Sequence, residues 1–285
     1  MSVDTDLRAV APQAPPRTPR GATLPEKIWA ALWPKVLAVA IAVGIWQAVV
    51  WSGWKPEYLL PPPRLAFEAL WDLLQDGRFW ELLSTTMRRG VVGFAIALVF
   101  GSLLGIAVSQ WKVLRAGVGS MITGLQTMPS IAWFPLAILL FGLTENAIYF
   151  VIILGAAPSI ANGIISGIDE VPPNLLRAGH MLGARGIDRY RYVILPAALP
   201  AYISGLKQGW AFAWRSLLAG ELLVNVPGVP SLGGDMTNAR NTLNSDVLIA
   251  LMIVILVVGM IIDVIFSALA KRVRTRRGLT GLHGA

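Results

Sequence analysis

Residues 247–270 read VLIALMIVILVVGMIIDVIFSALA and contain one charged residue, Asp263. A helix needs about 20 mostly apolar residues to cross the hydrocarbon core of a bilayer. The stretch therefore predicts a membrane-spanning helix. The composition of the whole chain agrees, because 55% of its 285 residues are hydrophobic and only 14% are charged, whereas soluble domains carry about 25% charged residues.

Five further stretches have the same character, and together the six predict an all-α membrane protein with six transmembrane helices. The third contains Pro129 and Pro135, so we expect a broken or kinked helix there. The fifth contains the cations Lys207 and Arg215. The predicted spans are residues 36–54, 90–111, 118–141, 146–168, 197–220 and 247–270.

Lysine and arginine predict the orientation, because these residues concentrate in the cytoplasmic segments of membrane proteins. Most of the 24 in this chain fall in cytoplasmic segments if both termini are cytoplasmic. The transmembrane domain, 35–275, would then lie between a disordered cytoplasmic tail, 1–34, and a cytoplasmic C-terminal tail, 276–285.

The residue types present argue against several classes of function. The chain has no cysteine and only two histidines, so we expect no disulfide framework and no metal site. The net charge of +8 comes from basic residues that flank apolar segments, and we expect no nucleic-acid partner. A G-x-x-x-x-G-K-[ST] phosphate loop is absent from the sequence. We therefore expect no catalytic residue and no nucleotide site in this chain.

The outer segment 56–86 and the glycines within spans predict packing features. Phe67, Leu70, Trp71 and Leu74 have helical spacing and predict an amphipathic helix, which would lie on the outer surface or pack on the bundle. Both alternatives fit the residues. Glycines within the spans predict close helix packing, and they are Gly101, Gly105, Gly155, Gly163 and Gly167.

Residues 172–196, between the fourth and fifth spans, predict a helix-turn-helix element. Asn174 is a candidate N-cap, and Gly183 and Gly186 predict a turn before a second short helix over 187–195. The residues alone leave two interpretations open. The element is either a solvated loop or a docking site for another protein.

The same element resembles the cytoplasmic signature of ABC importer permeases, E-A-A-x-x-x-G-x9-I-x-L-P. The matching residues are Arg177-Ala178-Gly179, Gly183 and Val193-Ile194-Leu195-Pro196. Arg177 stands where the signature has Glu, and Gly179 stands where it has Ala.

Residues 58–275 are similar to the permease family for nitrate, sulfonate and taurine (also bicarbonate). The matching fragments are Leu60-Pro61, Gly77, Gly93-Phe94, Pro129 with Ala132 and Pro135-Leu136, Phe141-Gly142, Asn162-Gly163, Leu182-Gly183-Ala184, Leu195 to Pro200, Gly205-Leu206 and Glu221-Leu222. This resemblance implies a type I ABC importer (MetI-like) permease core of five helices plus one N-terminal helix. It also implies a multi-pass protein of the bacterial plasma (inner) membrane.

The resemblance implies partner subunits as well. Two ABC ATPase subunits would bind ATP, a second copy of the permease would complete the pathway, and an extracytoplasmic solute-binding protein would deliver the substrate. No cofactor is expected in the chain itself. The expected ATPase-coupling residues are Leu175, Leu176, Arg177, Ala178, Gly179, Leu182, Gly183, Ala184, Arg185, Leu195 and Pro196.

Charged residues inside spans are costly and are candidates for function. Helix rise places Lys207 and Asp263 about 12–15 Å from the inner ends of their spans, which predicts an ion pair. Arg215 would lie near the outer face, where Glu221 or Asp246 could neutralise it. The alternative is that Lys207 or Arg215 faces the pathway and attracts an anion.

The proline-broken third span adds candidate pathway residues. Met128, Ser130 and Trp133 lie at the break and could contact substrate, although simple helix bending also explains the prolines. The expected substrate is a small organic or inorganic anion such as a sulfonate, taurine or nitrate. A heterocyclic vitamin precursor and an ATP-independent secondary transporter remain as alternatives.

Overall fold

The structure is a computed structural model that describes residues 24–276. Residues 1–23 and 277–285 lie outside the described residues, and most of the two predicted tails falls there. The helices are α1 (Leu24–Trp51), α2 (Pro63–Gln75), α3 (Gly77–Gln110), α4 (Lys112–Thr127), α5 (Phe134–Phe141), α6 (Glu145–Asp169), α7 (Pro173–Met181), α8 (Ile187–Arg189), α9 (Leu195–Leu223), α10 (Leu232–Asn241) and α11 (Ser245–Arg276).

Helix α1 belongs to a unit of its own, Met1–Trp54. Its part Leu32–Trp51 has a mean hydropathy of 1.7 and buries none of its side chains within the chain. The helix begins at Leu24, so the prediction of a disordered tail up to residue 34 was wrong for residues 24–34. Pro25 in the first turn leaves the helix intact, because the first amide groups of a helix have no intrahelical partner.

Four helical segments are long and apolar enough to cross a membrane, and they are Leu32–Trp51, Gly77–Gln110, Glu145–Asp169 and Ser245–Val273. The pair α4 and α5, bent by 104°, makes a fifth if it is one broken span. Helix α9 has the length but also carries Lys207, Arg215 and Glu221. The prediction of exactly six spans is therefore not confirmed by length and composition.

The predicted break in the third span is confirmed. Helix α4 ends at Thr127, and a short 3₁₀ turn, Ser130–Trp133, leads into α5. The break coincides with Pro129. Pro135 instead lies in the first turn of α5, where a proline is tolerated.

Helix α6 lies at the centre of the second unit, Lys55–Ala285, and contacts α3 on one side. A Cβ atom on Gly101 would lie 2.6 Å from the carbonyl oxygen of Ala157, and one on Gly105 would lie 2.8 Å from that of Ala161. Both distances are shorter than side chains allow. The two glycines therefore let the backbones of α3 and α6 come into direct contact.

On its other side, α6 contacts α9 through a pair of glycines. A Cβ atom on Gly163 would lie 2.7 Å from the Cα atom of Gly205, and the same distance applies in reverse. One turn further, a Cβ atom on Gly167 would lie 2.7 Å from the carbonyl oxygen of Ala198. The predicted role of Gly101, Gly105, Gly163 and Gly167 in close packing is thus confirmed.

The amphipathic helix α2 packs on the bundle. Leu70 and Leu73 contact a buried cluster that contains Phe79 and Leu251. Trp71 is 66% exposed, so the predicted apolar face is only partly the packed one. The indole of Trp71 is amphipathic, as is usual for aromatic residues at a membrane interface.

We expect Gly163→Ala to lower the melting temperature of the detergent-solubilised protein. The new methyl group would collide with backbone atoms of Gly205, which cannot rotate away as a flexible side chain can. Gly117→Ala is the matched control, because nothing lies within 4 Å of a Cβ atom there and alanine favours a helix by up to about 1 kcal/mol over glycine. Equal melting temperatures for the two variants would contradict the close contact.

Candidate functional site

The predicted helix-turn-helix element at 172–196 is present as α7, a turn and α8. Helix α7 begins at Pro173, so Asn174 lies in the first turn and the prediction that it is the N-cap was wrong. Proline's fixed backbone angle suits this first position. Gly183 and Gly186 have φ angles of +86° and +53°, values that favour glycine.

The element runs into α9 without a break. After α8, one π-helical turn, Tyr190–Ile194, leads directly to Leu195. The amide of Ala184 donates to the carbonyl of Gly179 at 2.9 Å, which closes the end of α7 in the manner of a Schellman motif. The predicted second helix over 187–195 is therefore continuous with α9 and forms the first part of one longer helix.

Large apolar side chains of this element are exposed. Met181 and Leu182 are each 87% exposed and Ile187 is 82% exposed. Beside them is a surface depression of about 460 Å³, lined by Leu176, Arg177, His180, Met181 and Arg189. An exposed apolar cluster rimmed by polar residues is typical of an interaction site.

Gly179 has a different position from the one its predicted role requires. The residue is buried, and a Cβ atom there would lie 2.7 Å from a methyl carbon of Val193. Its small size therefore lets α7 pack on the turn before α9. The exposed members of the predicted coupling set are Leu175, Arg177, Ala178, Leu182, Gly183, Arg185 and Leu195, and Leu176, Ala184 and Pro196 are half-buried.

A second candidate site lies along α9. Ser204, Gln208 and Arg215 are exposed and fall on one stripe of this helix, whereas its opposite side, with Trp210 and Leu217, is buried. Their spacing of four and seven residues keeps them within one face at 3.6 residues per turn. The stripe is polar in a helix whose other residues are mostly apolar.

Helix α6 contributes a matching polar row. Ser159, Asn162 and Ser166, with Glu170 directly after the helix, line an open cavity of about 400 Å³ between α6 and α9, and Gln208 lines it from the α9 side. The Gly163–Gly205 contact forms the floor of this cavity. We call the α9 stripe (Ser204, Gln208 and Arg215) and the α6 row (Ser159, Asn162, Ser166 and Glu170) together the polar face.

The two cations of α9 differ in their partners. Lys207 Nζ lies 3.0 Å from Asp263 Oδ1 and donates to Ser267 Oγ at 2.8 Å. The predicted Lys207–Asp263 ion pair is therefore confirmed, and the charge of Lys207 is neutralised.

Arg215 has no such neutralising partner. Its Nε donates to the carbonyl of Ala211 at 3.0 Å, and its guanidinium lies 4.8 Å from the centre of the Phe212 ring. Within residues 24–276, no carboxylate forms an ion pair with it. The prediction that Glu221 or Asp246 neutralises Arg215 was wrong, because Glu221 is bound elsewhere.

The residues at the α4–α5 break meet α6 and α9. Ser130 approaches Gly155 and Ser216, since a Cβ atom on Gly155 would lie 3.7 Å from Ser130 Cβ and 2.7 Å from Ser216 Oγ. Trp133 packs against the main apolar core, and Met128 is 42% exposed. Of the three predicted pathway residues at the break, Met128 is the most accessible.

A buried polar network escaped prediction from the sequence. Arg89, 1% exposed, donates from Nε to Glu145 at 2.9 Å and from Nη1 to Glu221 at 3.1 Å. The hydroxyl of Thr86 donates to Glu221 at 2.9 Å, and the amide of Gly233 in the first turn of α10 donates to it at 3.2 Å. The network joins α3, α6, α9 and α10. A signal for it in the sequence was Glu221, an acid at the end of a predicted span that was assigned to Arg215 as a possible partner.

Long apolar helices, a broken span and a polar face whose Arg215 has no carboxylate partner among residues 24–276 are typical of a membrane transport protein. Residues 97–275 match the family described as "Binding-protein-dependent transport system inner membrane component". The chain belongs to this family and is a permease subunit of an ABC importer.

Three named permeases are similar to this chain over most of their length. The taurine transport system permease protein TauC of Escherichia coli is 28% identical, and the match covers 88% of this chain and 93% of that protein. The putative aliphatic sulfonates transport permease protein SsuC of Escherichia coli is 31% identical, over 81% and 86%. The nitrate import permease protein NrtB of Leptolyngbya laminosa is 27% identical, over 84% and 87%.

Solved structures agree on the fold. A chain of the MetNI methionine ABC transporter in an inward-facing conformation superposes with a TM-score of 0.51 at 23% identity. The match covers 68% of this chain and 93% of that chain. The expected fold, that of a type I (MetI-like) importer permease, is thereby confirmed.

We expect Glu221→Ala to destabilise the protein by about 3–5 kcal/mol, because it leaves the buried Arg89 without one of its two carboxylates. Thermal unfolding in detergent measures the effect. Asp235→Ala is the control, since it breaks the more exposed Arg78–Asp235 pair, 3.0 Å long, which is worth about 0–1 kcal/mol. Similar shifts in the two variants would show that the network contributes no more than a surface pair.

Proposed function

We propose that this chain forms half of the pathway of an importer for a small anion such as a sulfonate, taurine or nitrate. The observation that carries the proposal is Arg215, an exposed cation in a long, mostly apolar helix, with no carboxylate partner among the described residues. An ionised side chain inside a bilayer is expensive unless it faces water or a counter-charge. A transported anion supplies that counter-charge.

The similar proteins support an anionic substrate. Their names specify taurine, aliphatic sulfonates and nitrate, and each of these carries a negatively charged group of oxygen atoms. The planar guanidinium of arginine binds such groups through parallel hydrogen bonds. Arg215 therefore has the chemistry that these substrates share.

A second copy of the chain is the proposed cover for the polar face. Serine, asparagine and arginine side chains cannot face lipid without loss of hydration. Two copies related by a two-fold axis would place their polar faces opposite each other. The space between them would be a water-accessible pathway, lined on both sides by Arg215, Gln208 and the α6 row.

The 172–196 element is the proposed docking site for the ATPase subunits, one for each permease copy. Its exposed Met181, Leu182 and Ile187 fit an apolar groove, as short helices commonly do. The distribution of lysine and arginine supports a cytoplasmic location for this element and for both termini. ATP would bind in the partner subunits, since this chain lacks a phosphate loop, and a solute-binding protein would deliver the anion on the outer side.

The docking surface is cationic as well as apolar. Arg177, Arg185 and Arg189 are exposed there, and Asp188 is the acid among them. The matching groove of the ATPase is therefore expected to carry acidic side chains at its rim. Electrostatic complementarity of this kind sets specificity between partners more than raw affinity.

We expect Arg215→Ala to reduce anion uptake at least tenfold, because a hydrogen bond between charged groups contributes about 1.5–3 kcal/mol. Uptake of radiolabelled taurine and nitrate is measured in proteoliposomes that contain the complete importer and its binding protein. Arg215→Lys keeps the charge and is expected to retain part of the activity.

The control for this experiment removes the other cation of α9 together with its partner. The double variant Lys207→Met with Asp263→Leu deletes a neutral ion pair and leaves the net charge unchanged. We expect near-normal uptake from it. Normal uptake by Arg215→Ala, with intact assembly, would overturn the assignment of Arg215.

We expect Leu182→Asp and Arg177→Glu each to weaken co-purification of the ATPase subunits and to lower both uptake and ATP hydrolysis. A carboxylate at position 182 would be buried without a partner in the groove, and one at position 177 would meet acidic side chains. Arg240→Glu is the matched charge reversal, because Arg240 is exposed on α10, at the predicted outer side. Labelling from outside the membrane of a cysteine introduced at 182 would contradict the orientation.

A further inference from the structure

Gln126 of α4 holds two side chains of the α6 row. Its Nε2 donates to Ser159 Oγ at 2.9 Å, and its Oε1 accepts from Asn162 Nδ2 at 2.6 Å. One carboxamide thus fixes two neighbouring groups on the wall of the cavity between α6 and α9. Two simultaneous hydrogen bonds restrict all three side chains to one arrangement.

This arrangement leaves donors unused. Ser159 is 1% exposed, and its oxygen accepts from Gln126, so its hydroxyl hydrogen remains for another acceptor. Asn162 uses one of its two amide hydrogens on Gln126. The structure gives these two groups no other hydrogen-bond acceptor within residues 24–276. Both line the same cavity, where a ligand oxygen can accept from them.

We propose that the cavity between α6 and α9 is a transit site for the transported oxyanion, with Ser159 and Asn162 as donors and Gln126 as the positioning residue. The inference rests on the proposed function and adds a second contact beyond Arg215. Its ligand class is a small anion with oxygen acceptors, such as a sulfonate or nitrate. Gln208, on the opposite wall, supplies a further neutral donor.

The distribution of charge along the cavity suits an anion that binds there only transiently. Gln208 is about 10 Å from Arg215 along α9, and Glu170 is about 16 Å from Ser159 along α6. Glu170 is the charged residue of the lining, and it lies at the end farthest from Ser159. Neutral donors bind an anion less tightly than a guanidinium does, and the carboxylate beyond them disfavours a stable stop.

The experiment measures anion uptake and ATP hydrolysis together in proteoliposomes with the complete importer and loaded binding protein. Radiolabelled taurine and nitrate are the probes. We expect Ser159→Ala and Gln126→Leu each to reduce uptake about fivefold to tenfold while stimulated ATP hydrolysis continues, so that more ATP is hydrolysed for each anion moved. Gln126→Glu is expected to reduce uptake more than Gln126→Leu, because its carboxylate repels the anion.

Thr123→Val is the control for changes in α4, because Thr123 is exposed and its hydroxyl only donates to a carbonyl of its own helix. Wild-type uptake by all three cavity variants would overturn the transit site, as would a loss of uptake that is accompanied by loss of dimer assembly. If either result is obtained while Arg215→Ala still reduces anion uptake, the proposed function remains intact. Absence of ATP-dependent anion uptake by the wild-type importer would instead overturn the proposed function itself.

Discussion

The contact between Gly163 and Gly205 is the constraint on which the rest of the structure depends. It lets the backbones of α6 and α9 touch, and so it places the polar row of one helix beside the polar stripe of the other. A larger residue at either position would separate the helices and fill the floor of the cavity. The arrangement of the candidate site is therefore set by the smallest side chains in the bundle, and the polar groups follow from their positions.

The C-terminal end of α9, at Glu221, is held by hydrogen bonds between charged groups. Arg89 and Glu221 are buried and Glu145 is half-buried, and buried charged groups are costly unless they are paired and hydrogen-bonded. Hydrogen bonds from Thr86, from Arg89 and from the first turn of α10 hold Glu221, and Arg89 also donates to Glu145. The C-terminal end of α9 is thus fixed by a network of directional bonds, whereas its middle combines the close packing at Gly205 with the contacts of Lys207 to Asp263 and Ser267.

The sequence predicted what depends on local composition. Apolar runs, the break at Pro129, the turn at Gly183 and the Lys207–Asp263 pair all follow from spacing or depth along a helix. The Arg89–Glu221 network was missed because it joins residues 132 positions apart, and helix rise alone does not tell which helices are neighbours. For the same reason Glu221 was expected near Arg215, and the docking role predicted for Gly179 did not anticipate its contact with Val193.

The unequal attachment of α9 has a geometric consequence for any tilt of this helix. If the end at Glu221 is the fixed point, then Arg215 is about 9 Å from it and Ser204 about 26 Å. A given rotation would displace Ser204 almost three times as far as Arg215, and the 172–196 element farther still. Arg215 would therefore stay almost in place while the inner part of the cavity widens or narrows.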